Sequence, residues 1–168
     1  FKDDILETCK EYIKQFDDIS FLHIRRGDNI GREEYYPTPS AEWMGEMVEK
    51  HFPNKPILIC TDDLDWVKSQ DTFKDDKYNI SETRIYYDTP VMIGGGSYAK
   101  SLVPYYDLCL MSLCNGAIIA NSSLSWWGAW LQSAPNKKIV SQDPWYGTKL
   151  ASNDTKDLYP KSWIVEKI

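Results

Sequence analysis

Apolar residues recur along this chain in two alternating rhythms, and the alternation predicts layers of helix on sheet. Phe1, Ile5, Cys9, Tyr12, Ile13 and Phe16 fall mostly three or four residues apart, as the inner stripe of a helix over 1–16 requires. A compact apolar run at 19–24 follows, too short for a helix and long enough for a buried strand. Pro37-Thr38-Pro39-Ser40 reads as a turn. Its Ser40 caps a second helix that carries Trp43, Met44, Met47 and Val48 and stops before Pro53. Residues 57–60 form a second strand, whose polar exit Thr61-Asp62-Asp63 enters a short helix with Leu64, Trp66 and Val67.

The pattern is less regular in the middle. Residues 71–83 are polar and read as a solvated excursion, 84–87 as a third strand, and Gly94-Gly95-Gly96 as a flexible loop. Order then returns with a helix over 101–114, a strand at 117–120, a helix over 123–133 and a strand at 138–140. A tail holding Pro144, Trp145, Tyr159, Pro160 and Trp163 closes in a strand at 163–166. The strands are continuously apolar rather than alternating, so both faces of the sheet must be covered by helices. The expected fold is α/β and Rossmann-like: one parallel sheet flanked by helices, a single domain over residues 1–168.

The totals narrow what such a domain can do. With 42% hydrophobic and 26% charged residues, the 168-residue chain has the makeup of an ordinary globular domain. Its net charge of −6 excludes the broad basic surface of a general nucleic-acid binder, so an anionic ligand must be held locally. Cys9, Cys60, Cys109 and Cys114 form no CxxC pair and are expected as buried thiols in a reducing compartment. No apolar run reaches the roughly 20 residues of a membrane span.

Candidate chemistry collects where apolar runs stop, since α/β sheets bind ligands beyond the carboxyl ends of their strands. The first strand runs into His23-Ile24-Arg25-Arg26-Gly27-Asp28. Adjacent arginines there can fork onto phosphate oxygens or simply pair with Asp28 at the surface. Asn121-Ser122-Ser123 ends one strand and opens a helix, which suits either a phosphate cradle built on free amides or ordinary serine capping. Asp107 sits among apolar helix residues, as a solvated acid or as a reader of a guanine edge. His23 could be a core histidine or a ligand contact. The adjacent acids Asp62 and Asp63 begin a helix, which favours capping or ribose contacts over a metal site.

Taken together, HIRRGD, then TDD after a strand, then DLCLMSLCNGAIIANSSLSWWGAWL resemble the bacterial α-1,2-fucosyltransferase family, from His23 to about Asp143. That resemblance implies an inverting, metal-independent transferase of the GT-B type. It would move fucose from GDP-fucose to a galactoside 2-hydroxyl, with no cofactor. It implies that Arg25 binds the diphosphate, that His23 and Asp107 contact guanine, and that Ser122 and Ser123, beside Asn121, meet phosphate oxygens. Arg26 and Asp28 hold the motif in shape, and Asp62 and Asp63 lie near the nucleotide. The general base expected by analogy is Glu33, ten residues after His23, or Asp28. The chain departs from the family at Asn115 and Leu124, where His and Phe are usual. It also lacks the glycine-rich opening segment, so it is expected to be the nucleotide-binding half without its acceptor domain. The other reading is a non-catalytic nucleotide-sugar or glycan binding module. Expected partners are GDP-fucose and a galactose-containing glycan, with no nucleic acid. The expected location is cytoplasmic, with any membrane contact peripheral.

Overall fold

A computed structural model of the chain describes residues 1–81 and 104–168, together with the backbone of two short strands between them. Among these residues six strands form one parallel sheet: β1 (Ser20–Ile24), β2 (Ile57–Thr61), β3 (Tyr78–Ile80), β6 (Gly116–Ile119), β7 (Lys138–Asp143) and β8 (Ile164–Lys167). Two further strands, β4 (Val91–Ile93) and β5 (Ser97–Ala99), pair antiparallel outside the sheet. The sheet order is β3-β2-β1-β6-β7-β8. Counted within the sheet alone this is the 3-2-1-4-5-6 order of a doubly wound Rossmann fold.

Among the described residues five α-helices cover the sheet: α1 (Asp3–Ile13), α2 (Ala41–His51), α3 (Leu64–Ser69), α4 (Pro104–Leu113) and α5 (Ser123–Trp130). Because successive strand residues face opposite sides, one register sorts the core into two layers. Phe21 pairs with Leu58 and Ala117, and these join Cys60, Ile119 and Ile139 beneath α1, α4 and α5. Leu22 pairs with Ile59 and Ile118, and these join Ile24, Ile57 and Val140 beneath Met44, Met47 and Val48 of α2 and Val67 of α3. The continuous apolar strands of the sequence are therefore buried on both faces. All four cysteines are free and buried.

Three expectations need correction. Of the stretch 71–83, expected as a solvated excursion, the described residues 71–81 contain β3, parallel to β2, with Phe73 buried and packed edge-on against Tyr78 at 5.4 Å. An edge strand needs only one neighbour and one covered face, so three residues with modest apolar character suffice. Helix α5 stops at Trp130 rather than 133. There the Lys137 ammonium donates to the carbonyls of Ala129, Trp130 and Gln132 at 2.8–2.9 Å, satisfying the helix end with a cation. Conversely, β7 continues to Asp143, through the fully buried Ser141 and Gln142 that polarity alone marks as loop. The expected strand at 84–87, loop at 94–96 and helix start at 101–103 lie outside the described residues.

Candidate functional site

The strand order reverses between β1 and β6, and a doubly wound sheet opens its ligand crevice at such a switch point. Here β1 delivers Arg25 and β6 delivers Ser122, 97 residues apart in sequence. Both line one cleft of about 320 Å³, shared with His23, Thr61, Asp62, Pro104, Asp107 and Leu124.

Arg25 is aimed by acids on two sides. Its Nη1 donates to Asp62 Oδ2 and its Nη2 to Asp28 Oδ1. Asp62 is the anchored partner: its side chain is 8% exposed and its Oδ1 accepts the Arg26 backbone N–H at 2.8 Å. Gly27 makes that approach possible, because a Cβ there would stand 2.5 Å from Asp62 Oδ2. Asp28, in the short helical turn Gly27–Asn29, is 65% exposed. Arg26 turns away from the cleft lining. Its Nε donates to Asp63 Oδ2 at 3.1 Å, and its guanidinium lies 3.9 Å from the centroid of the Trp66 ring. Asp63 is also the N-cap of α3, accepting the Trp66 N–H, while its own N–H donates to Thr61 Oγ1 at 3.0 Å. The TDD tripeptide thus caps a helix and braces both arginines at once.

The second wall is the start of α5. Ser122 is its N-cap in extended conformation, and its hydroxyl makes no capping bond. Ser125 turns inward onto the Ala120 and Ser122 carbonyls. The first amides of α5 are therefore left without a side-chain cap, at the positive end of the helix dipole. Ser123 is exposed beside the cleft and does not line it. Asn121, expected among the binding residues, does not line the cleft. It is buried, and its Nδ2 donates to the carbonyls of Pro37 at 3.0 Å and Trp145 at 3.1 Å, tying two loops beneath the cleft. Gln142 Nε2 reaches the same Pro37 carbonyl at 2.9 Å.

His23 contributes a neutral ring. Burial lowers its pKa to about 4, with Asp62 opposing and Arg25 adding to that effect. Its Nδ1 is buried with no hydrogen-bond partner among the described residues. Across from it, Asp107 in the first turn of α4 accepts from Ser81 Oγ at 3.1 Å. Neither candidate base lines the cleft. Glu33 is exposed and its Oε1 accepts the Gly31 N–H at 2.9 Å, a bond that lowers its pKa. Asp28 is engaged with Arg25. The sequence reading gives no binding role to Thr61, Pro104 or Leu124, which line the cleft, or to Ser81, which donates to Asp107. Thr61 adjoins Asp62 and could have been found from that position, whereas Ser81 has no local signal. Among the described residues, no three His, Cys, Asp or Glu side chains group to hold a metal ion.

The chain matches Glycosyl transferase family 11 over residues 8–167. It is similar to the O-antigen biosynthesis glycosyltransferase WbnK of Escherichia coli, 28% identical over 96% of this chain and 51% of that protein. It is also similar to an alpha-1,2-colitosyltransferase of Escherichia coli, 29% identical over 87% of this chain and 47% of that protein. The chain therefore spans about half the length of the curated relatives it matches. Among solved structures, the fucosyltransferase NodZ from Bradyrhizobium superposes with a TM-score of 0.50 at 13% identity, over 78% of this chain and 43% of that one, a likeness of fold. With the family model matched along nearly the whole chain, this chain belongs to glycosyl transferase family 11.

Proposed function

We propose that the chain is the donor-binding portion of an inverting transferase that takes fucose from GDP-fucose to the 2-hydroxyl of a galactoside. The observation that carries this reading is the convergence of Arg25 and the uncapped start of α5 on one cleft at the switch point. In a single in-line displacement the acceptor oxygen attacks the anomeric carbon as the diphosphate departs, so the main demand is to stabilise charge on the leaving group. The Arg25 guanidinium and the α5 amides meet that demand without a metal ion. His23 and Asp107 share the cleft and can meet the base, Asp107 by accepting from the guanine N–H groups.

The acceptor side is less complete. Glu33 engages one carboxylate oxygen with the Gly31 amide and Asp28 one with Arg25, and neither lines the cleft, so either side chain has to move to meet an acceptor hydroxyl there as general base. This favours keeping a second reading, a nucleotide-sugar binding module without transfer activity of its own. Calorimetry in EDTA with GDP, GDP-fucose, GDP-colitose, GDP-mannose and UDP-galactose tests the donor. The expected result is binding of GDP and GDP-fucose over UDP-galactose, and indifference to the base overturns the proposal. Transfer to lactose, followed by mass spectrometry, separates enzyme from module.

A further inference from the structure

The cation that faces the cleft is over-neutralised. Arg25 brings one positive charge and receives two carboxylates, and the wider cluster sets Arg25 and Arg26 against Asp28, Asp62 and Asp63. A pocket meant for a diphosphate should not spend its arginine on two acids, unless one of them can leave. The two acids differ in just this respect. Asp62 is 8% exposed, held by the Arg26 N–H at 2.8 Å and seated against Gly27, so moving it would break a second bond as well as the ion pair. Asp28 is 65% exposed, its carboxylate has only the Arg25 contact among the described residues, and water can solvate it as soon as it swings out. An ion pair so exposed contributes little.

Resting on the donor-site reading above, we infer that Asp28 is a displaceable counter-ion for Arg25. Asp62 is the fixed strut that aims the guanidinium. Asp28 occupies Nη2 until a phosphate oxygen takes its place, and it returns when the nucleoside diphosphate leaves. It is a positioning residue that weakens product binding and so favours release. Its effect on affinity is therefore opposite in sign to that of a ligand contact or a structural brace.

The test is a set of three variants, Asp28→Asn, Asp28→Glu and Asp62→Asn, titrated calorimetrically with GDP and with inorganic pyrophosphate, with circular dichroism and thermal melting as folding controls. Asp28→Asn is expected to bind GDP roughly three- to fivefold more tightly than the natural chain, because an exposed opposing charge has been removed. Asp28→Glu is expected to return affinity toward the natural value, and Asp62→Asn to lose affinity. Unchanged or weaker binding in a folded Asp28→Asn variant overturns the inference while leaving the donor site standing. If the natural chain binds neither probe, the donor-site reading fails and this inference falls with it.

Discussion

Asp62 holds Arg25 through one carboxylate oxygen while its other oxygen takes the Arg26 backbone N–H at 2.8 Å, so a single acid with its side chain largely shielded from water sets both the side chain and the backbone of the arginine pair. The guanidinium is aimed into the cleft by this contact. Arg25→Ala is accordingly expected to weaken GDP binding roughly ten- to a hundredfold, the loss of charge-assisted bonds to a diphosphate. Arg25→Lys should recover little of it, since a lysine offers a point charge where a forked donor is braced by Asp62. Calorimetry reads both, and near-natural affinity in Arg25→Ala removes Arg25 from the site.

Gly27 shows how little room that contact leaves. A methyl group there would stand 2.5 Å from Asp62 Oδ2 and 3.2 Å from its Cγ. Gly27→Ala must therefore push Asp62 off Arg25, and the expected cost is about 1–3 kcal/mol in stability together with weaker nucleotide binding. Urea unfolding and calorimetry on the same variant check the two effects; a variant with natural values for both shows that the loop accommodates the methyl group.

Asn121 is expected to act on stability first. Its Nδ2 supplies both the Pro37 and the Trp145 carbonyl from a buried position. Asn121→Ala leaves the Trp145 carbonyl without this donor and removes one of two from Pro37, which Gln142 still serves. The expected loss is about 1–3 kcal/mol, read as a lower urea midpoint. If GDP affinity falls more steeply than stability, Asn121 touches the ligand after all.

The buried His23 ring makes stability depend on pH. Its folded pKa of about 4 lies below the usual 6.5, so between those values the unfolded chain binds more protons and folding weakens as pH falls. The stabilisation is complete above about pH 6.5 and is lost on descending toward pH 4, by roughly 3 kcal/mol in all. Urea midpoints at pH 7, 6 and 5 should show this slope in the natural chain and a flatter one in His23→Gln. Equal slopes in the two proteins would mean that His23 is solvated.

How much of this was legible in the sequence differs from element to element. The strands at 57–60 and 117–120 and the helix capped by Ser40 were read nearly to the residue, because long apolar runs and a capping hydroxyl are local signals. Edge strand β3 and the polar end of β7 were not. Their hydrogen bonds come from β2, β6 and β8, which lie far away along the chain.

By itself the sequence determined the alternation of helix and strand, the burial of both sheet faces, and the family motifs, since each is carried by residue types at short spacing. Only the tertiary structure decided that Arg25 and Ser122 share a cleft, that Asp62 rather than Asp28 is the anchored partner of Arg25, and that Asn121 serves two loops instead of the cleft. Those facts depend on which strands become neighbours and on which carboxylate is shielded from water. Strand order and burial are settled by packing across the whole sheet, and no local stretch of residues encodes them.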